Sequence, residues 1–155
     1  MNFKNSLILG VSLLGLSAIN TVFPQPIKAN SITTRVISGI RCNANAGISL
    51  YPNRALRECT LALEQNYQGI YCQEASRISL HENGTLEKCI LSKDRRFAGI
   101  ECQQGSLAQF YSNNTLEFCT LRRNLNFGGF QCGQGNQISL DEAGNIEACG
   151  GRRRY

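Results

Sequence analysis

The sequence predicts an all-β fold: four tandem 30-residue antiparallel β-hairpin repeats, disulfide-linked. Three observations predict it. Eight cysteines stand at 42, 72, 102 and 132 and at 59, 89, 119 and 149, so both series step by 30. Short apolar runs between them alternate with period two, the pattern of half-buried strands. Clusters of Asn and Gly separate the runs, and these residues tolerate the positive φ that tight hairpin turns require. A period of this length marks a solenoid, propeller or array, whose single units are too small to fold alone.

The elements follow in order. Residues 1–29 hold Lys4 and Lys28, no acid and no cysteine. Lys4 opens a mostly apolar stretch, Ser6 to Ile19, that is short for a membrane-spanning helix and fits the apolar region of a signal peptide. Pro24 and Pro26 then break any helix. Cleavage is expected after Ala29, with Ala18 as the second choice and an uncleaved anchor as the competing reading. Without this leader the 16 basic residues fall to 14, against 11 acidic ones, a net charge of +3. Arg152, Arg153 and Arg154 sit in a basic tail, 150–155, so the repeat body is nearly neutral. That balance argues against a nucleic-acid face, and no later apolar run is long enough to cross a membrane.

Residues 30–38 are expected to form a leading strand that caps the array. Residues 39–149 form a single domain of four repeats, 39–68, 69–98, 99–128 and 129–149. Each opens on a Gly-Ile-x-Cys-like strand at 39–42, 69–72, 99–102 or 129–132. An Ile-Ser-Leu-like strand follows at 48–51, 78–81, 108–111 or 138–141. The third strand carries the second cysteine, with Leu56, Leu86, Leu116 or Ile146 three residues before it. Turn residues such as Asn83-Gly84 and Asn113-Asn114 pair the second and third strands antiparallel. Folding the chain about Arg95-Arg96 makes the link to the next unit a hairpin as well, with Leu91 facing Ile100 and Cys89 facing Cys102. The expected core is Ile40, Ile70, Ile100, Phe130, Leu50, Leu80, Phe110 and Leu140.

An even cysteine count behind an export signal reads as a disulfide framework. No Cys-x-x-Cys pair is present to begin a zinc site. Two pairings are open. Bridging facing cysteines of adjacent units (Cys59 with Cys72, Cys89 with Cys102, Cys119 with Cys132) leaves Cys42 and Cys149 over. Pairing within units (Cys42 with Cys59, and so on by 30) leaves none over and is preferred. It requires the first and third strands to approach within bridging distance, below about 7 Å between Cα atoms. The expected location is secreted or periplasmic.

Tyr51-x-Asn53, His81-Glu82-Asn83-Gly84-x-Leu86 and Tyr111-Ser112-Asn113-Asn114-x-Leu116 resemble the tyrosine-x-asparagine-glycine-x-leucine core of MORN-type variant repeats, as found in small secreted bacterial repeat proteins. The period here is longer than the usual MORN spacing, and the second cysteine stands about where those repeats carry a glycine. The resemblance implies antiparallel hairpins and a role in contacting partners. Asn66-Tyr67-x-Gly69, Arg96-Phe97-x-Gly99 and Asn126-Phe127-x-Gly129 are similar to the aromatic-x-glycine hairpin of βγ-crystallins. The units of that fold are longer, and its serine-centred calcium sites are not evident here.

The candidate chemistry is sparse. His81 is the single histidine and occupies the slot of Tyr51, Tyr111 and Asp141, which makes it a strand residue rather than a base. Ser79 shares its slot with Ser49 and Ser139, so it reads as a repeat residue and not a nucleophile. Glu82, Glu87, Glu117, Asp141, Glu142 and Glu147 gather near the turns without calcium-loop spacing. Arg95, Arg96, Arg122 and Arg123 lie between units and form a candidate anion-binding rim, because guanidinium forks suit phosphate, sulfate and carboxylate. The expectation is a secreted, non-catalytic repeat protein that binds a protein or polysaccharide surface or serves structurally at the cell envelope. It needs no cofactor or metal. The alternative is a small secreted inhibitor or effector of another protein, and a hydrolytic enzyme comes third.

Overall fold

The computed structural model describes residues 32–150 and the backbone of 152–153. The expected leader with its cleavage site, and the end of the basic tail, lie outside the described residues. Within them are seventeen short strands and no helix. β1 (Thr34–Ile37) precedes the first repeat, which supplies β2 (Ile40–Asn43), β3 (Ile48–Leu50), β4 (Leu56–Thr60) and β5 (Gln65–Tyr67). The second supplies β6 (Ile70–Cys72), β7 (Arg77–Leu80), β8 (Leu86–Ile90) and β9 (Arg95–Phe97). The third supplies β10 (Ile100–Cys102), β11 (Leu107–Phe110), β12 (Leu116–Thr120) and β13 (Leu125–Phe127). The fourth supplies β14 (Phe130–Cys132), β15 (Gln137–Leu140) and β16 (Ile146–Cys149), followed by β17 (Arg152–Arg153).

The second and third strands of every unit join one antiparallel sheet of nine strands, ordered β3-β4-β7-β8-β11-β12-β15-β16-β17. The remaining strands form four two-stranded ribbons: β1-β2, β5-β6, β9-β10 and β13-β14. Disulfides tie each ribbon to the sheet: Cys42–Cys59, Cys72–Cys89, Cys102–Cys119 and Cys132–Cys149, with Cα atoms 5.7–5.8 Å apart. The pairing is therefore within units. The core lies between ribbons and sheet. Its sheet side is a continuous row in which Ile48, Cys59, Ile78, Cys89, Ala108, Cys119, Ile138 and Cys149 face one another in turn, all buried except the two at the ends.

One spacing looks wrong for a strand until the bulge is seen. Leu56 lies three residues before Cys59, yet both are buried, whereas period two would place them on opposite faces. The register shifts between Ser49 and Leu50: Ser49 faces Glu58, and Leu50 faces Leu56. Arg57 is the extra residue of a β-bulge, which restores Leu56 to the inner face. The same shift recurs at Ser79/Leu80, Gln109/Phe110 and Ser139/Leu140.

Two expectations are corrected. The hairpin between units turns at Gln68-Gly69, Ala98-Gly99 and Gly128-Gly129, not three residues earlier. Arg95 faces Cys102 and Phe97 faces Ile100, while Leu91 bridges to Cys72 of its own unit. Both central residues of each turn have positive φ, for instance 45° at Ala98 and 92° at Gly99, and a two-residue turn of that kind matches strand twist. Each of the first three units thus has four strands, since the segment containing Tyr67, Phe97 or Phe127 is itself a strand. The second correction concerns Leu50, which is 43% exposed, whereas Leu80, Phe110 and Leu140 are at most 2% exposed. Those three follow a preceding unit, and among the described residues Leu50 has none before it.

Candidate functional site

The loops joining the two sheet strands of each unit carry most of the polar candidates. Tyr51 Oη donates to Leu80 O (2.8 Å) and Tyr111 Oη to Leu140 O (2.9 Å). His81 Nε2 lies 2.8 Å from Phe110 O. A carbonyl only accepts, so Nε2 carries the hydrogen and the imidazole does a tyrosine hydroxyl's work. Asn83 and Asn113 reach forward in the same way, to Ser112 O and Glu142 O. Among the described residues no further unit follows the fourth, and Asp141 there accepts from Asn145 N (2.7 Å) and Asn145 Nδ2 (2.9 Å) of its own turn. These bonds, the side-chain one foremost, hold its carboxyl below the usual aspartate range.

The outer face of the sheet presents a second row: Ser49, Glu58, Ser79, Lys88, Gln109, Phe118, Ser139 and Ala148 face one another in sequence. Ser79, 2% exposed, donates to Glu58 Oε2 at 3.1 Å, so its hydroxyl is spent on a cross-strand bond. Phe118 is the one aromatic of this row and is half-buried. It floors a depression of about 300 Å³ lined also by Tyr111, Glu117, Ser139 and Glu147. Glu117 accepts from Gln109 Nε2 at 2.7 Å. Burial first, then the nearby carboxylates Glu117, Glu147, Glu142 and Asp141, push the Tyr111 hydroxyl up. The depression therefore pairs an apolar ring with negative charge. Sequence reading overlooked Phe118, whose equivalents in the other units are Glu58, Lys88 and Ala148. An aromatic breaking a non-aromatic slot was the available signal.

Of the four arginines, three converge. Arg123 Nε lies 3.0 Å from Glu101 Oε2, Arg96 lies 3.9 Å from Glu101, and Arg122 Nε lies 2.8 Å from Asp94. Any anion binding there competes with two carboxylates. Arg95 stands apart, lining a groove with Gln68, Phe97 and Asn114. The two pairs are not equivalent positions: Leu125 and Asn126 match Arg95 and Arg96, and Ser92 and Lys93 match Arg122 and Arg123.

Among the described residues, no group of three or more His, Cys, Asp or Glu is placed to hold a metal ion, and no helix is long and apolar enough to cross a membrane. No family model, curated protein or solved structure matches this chain.

Proposed function

We propose that this chain is a secreted or periplasmic, non-catalytic repeat protein that binds an extended polysaccharide or protein surface through the outer face of its third and fourth units. The observation that carries this reading is the Phe118 depression. An apolar ring flanked by Glu117 and Glu147 suits the apolar face of a sugar ring, with hydroxyls donating to the carboxylates, or a basic side chain of a partner. Four disulfides fit an oxidising compartment outside the cytosol, and the leader-like residues 1–29 supply a route there. The likeness of 81–86 to MORN-type repeats fits a contact role. His81 and Ser79, the residues that catalysis would most readily recruit, are both engaged in bonds between units.

Co-sedimentation with purified envelope polysaccharide, and separately with envelope proteins of the producing cell, tests the proposal. Phe118→Ala is expected to lower retention about tenfold, the usual effect of removing a central aromatic anchor. His81→Tyr, which installs the residue of the flanking units, is expected to leave retention and folding intact. Retention indifferent to Phe118→Ala, or a turnover activity that His81→Tyr abolishes, would overturn it.

A further inference from the structure

The four ribbons should seat on the sheet alike, and they do not. Over the second unit the seat is closed by the end of the first: Tyr67 Oη donates to Gly84 O at 2.7 Å, Gln68 Nε2 donates to the same carbonyl at 3.2 Å, and Gln68 Oε1 accepts from Leu86 N at 3.3 Å. Over the third unit, Phe97 of β9 has no hydroxyl, but its ring meets Phe110 edge-on, centroids 5.1 Å apart. In the fourth unit every one of these devices is missing. The tyrosine position is Phe127, the glutamine position is Gly128, and the Phe110 position is Leu140. Phe127 is accordingly 67% exposed.

What remains is a cleft of about 500 Å³ between ribbon and sheet, lined by Ile100, Leu125, Phe127, Phe130, Gly144 and Ile146 among others. The equivalent groove of the preceding unit is smaller, about 390 Å³, and mixed, with Gln68, Arg95 and Asn114 beside Ile70, Phe97 and Phe110 in its wall. Thirty residues on, those three become Ala98, Leu125 and Gly144, so the wall has lost its charge at these positions, and Asn145 is the one amide side chain left in the lining. Among the described residues no side chain donates to Gly144 O, the counterpart of the carbonyl that takes two hydrogen bonds in the second unit.

We infer that the fourth unit's cleft is a binding site for an uncharged phenolic aromatic. The molecule itself shows what fills this seat, because in the second unit it holds a phenol ring with its hydroxyl on the glycine carbonyl. A ligand of this class lays its ring between Phe127 and Ile146 and donates to Gly144 O. Its alkyl substituent fills the remaining space against Leu125 and Ile100. A volume of this size is typical of small-molecule sites. The absence of any charged side chain in the lining disfavours a carboxylated relative. The site is independent of the outer-face reading above and lies on the other side of the sheet.

The test uses the full secreted chain, 4-ethylphenol as probe, and amide chemical shifts of the residues around Phe127 and Gly144 as readout. 4-Ethylphenol is expected to bind there in a saturable way, and ethylbenzene, lacking the donor, roughly threefold to tenfold more weakly. The double variant Phe127→Tyr with Gly128→Gln reinstates the closed seat of the second unit and is expected to lose binding. It uses residues this fold already carries, and an amide spectrum retained elsewhere confirms folding. Equal binding of ethylbenzene, or unchanged binding in the double variant, would overturn the site. So would binding that appears only in Tyr155→Ala, because the chain's own phenol would then be the occupant.

Discussion

At the residue scale, position 141 shows how neighbours assign roles. Tyr51, His81 and Tyr111 are donors because a carbonyl of the next unit waits for each of them. Among the described residues no such carbonyl faces Asp141, and as an acceptor it caps its own turn instead. A carboxyl held below its ordinary range stabilises the fold above that range, and the contribution is lost as pH falls through the lowered folded value. Asp141→Asn keeps an acceptor but cannot titrate. Urea midpoints followed downward from pH 6 through the aspartate range should therefore fall less steeply for Asp141→Asn than for the parent. The difference is small because the side chain is exposed and screened. Parallel curves would show that the Asn145 bonds do not distinguish the folded from the unfolded chain. Tyr67 and Tyr111 act at the opposite end. Burial raises Tyr67, so its contribution is full below the ordinary phenol value and fades as pH rises past it. His81 was legible as a repeat residue because Tyr51 and Tyr111 share its slot. The carbonyl it serves was not, since that partner is set by how units stack.

At the scale of the element, the strands that were readable from sequence are those whose apolar residues alternate cleanly. β2, β7 and β11 fall where period two places them, and the turn glycines locate the loops between sheet strands. In the ribbons, β5, β9 and β13 were missed because a three-residue strand such as Arg95–Phe97 offers only one inward apolar residue, too few for a period to show. Their turn was nevertheless written in the aromatic-x-glycine triplets, which put Gly69, Gly99 and Gly129 at the position of positive φ. The bulge was likewise present as the spacing of three between Leu86 and Cys89, an irregularity that only a shifted register explains. The disulfides hold these two layers together, and each closes a span of 17 residues, worth about 3 kcal/mol on chain-entropy grounds. They are not equally open to attack. Seven of the cysteines are at most 2% exposed, and Cys149 is the half-exposed eighth. Exchange requires a thiolate to reach sulfur, so limiting dithiothreitol on native protein should reduce Cys132–Cys149 first. Alkylation and peptide mapping should find the label on those two residues before any other pair. Label spread evenly over the four pairs would mean that reduction follows global unfolding.

At the scale of the whole described unit, repetition makes each repeat a control for the others, and departures from the average locate the ends. Both ends of the nine-stranded sheet differ from its middle. At one end β17 pairs along β16 and so takes up that strand's free edge. At the other, β3 carries Ile48, Ser49 and Leu50 with no charge and, among the described residues, no covering unit. Leu50 and Leu80 are the same residue in the same slot, 43% and 1% exposed. Their truncation therefore separates what a leucine is worth from what a neighbouring repeat adds. Leu80→Ala removes a side chain enclosed on all sides and should cost about 2–5 kcal/mol, transfer and cavity together. Leu50→Ala leaves no enclosed void and gives up only part of the transfer term, about 1 kcal/mol. Chemical denaturation of the two variants, with the parent's slope, measures the difference directly. If Leu50→Ala proves as costly as Leu80→Ala, something outside the described residues covers the β3 edge. The first repeat would then be an interior unit like the second.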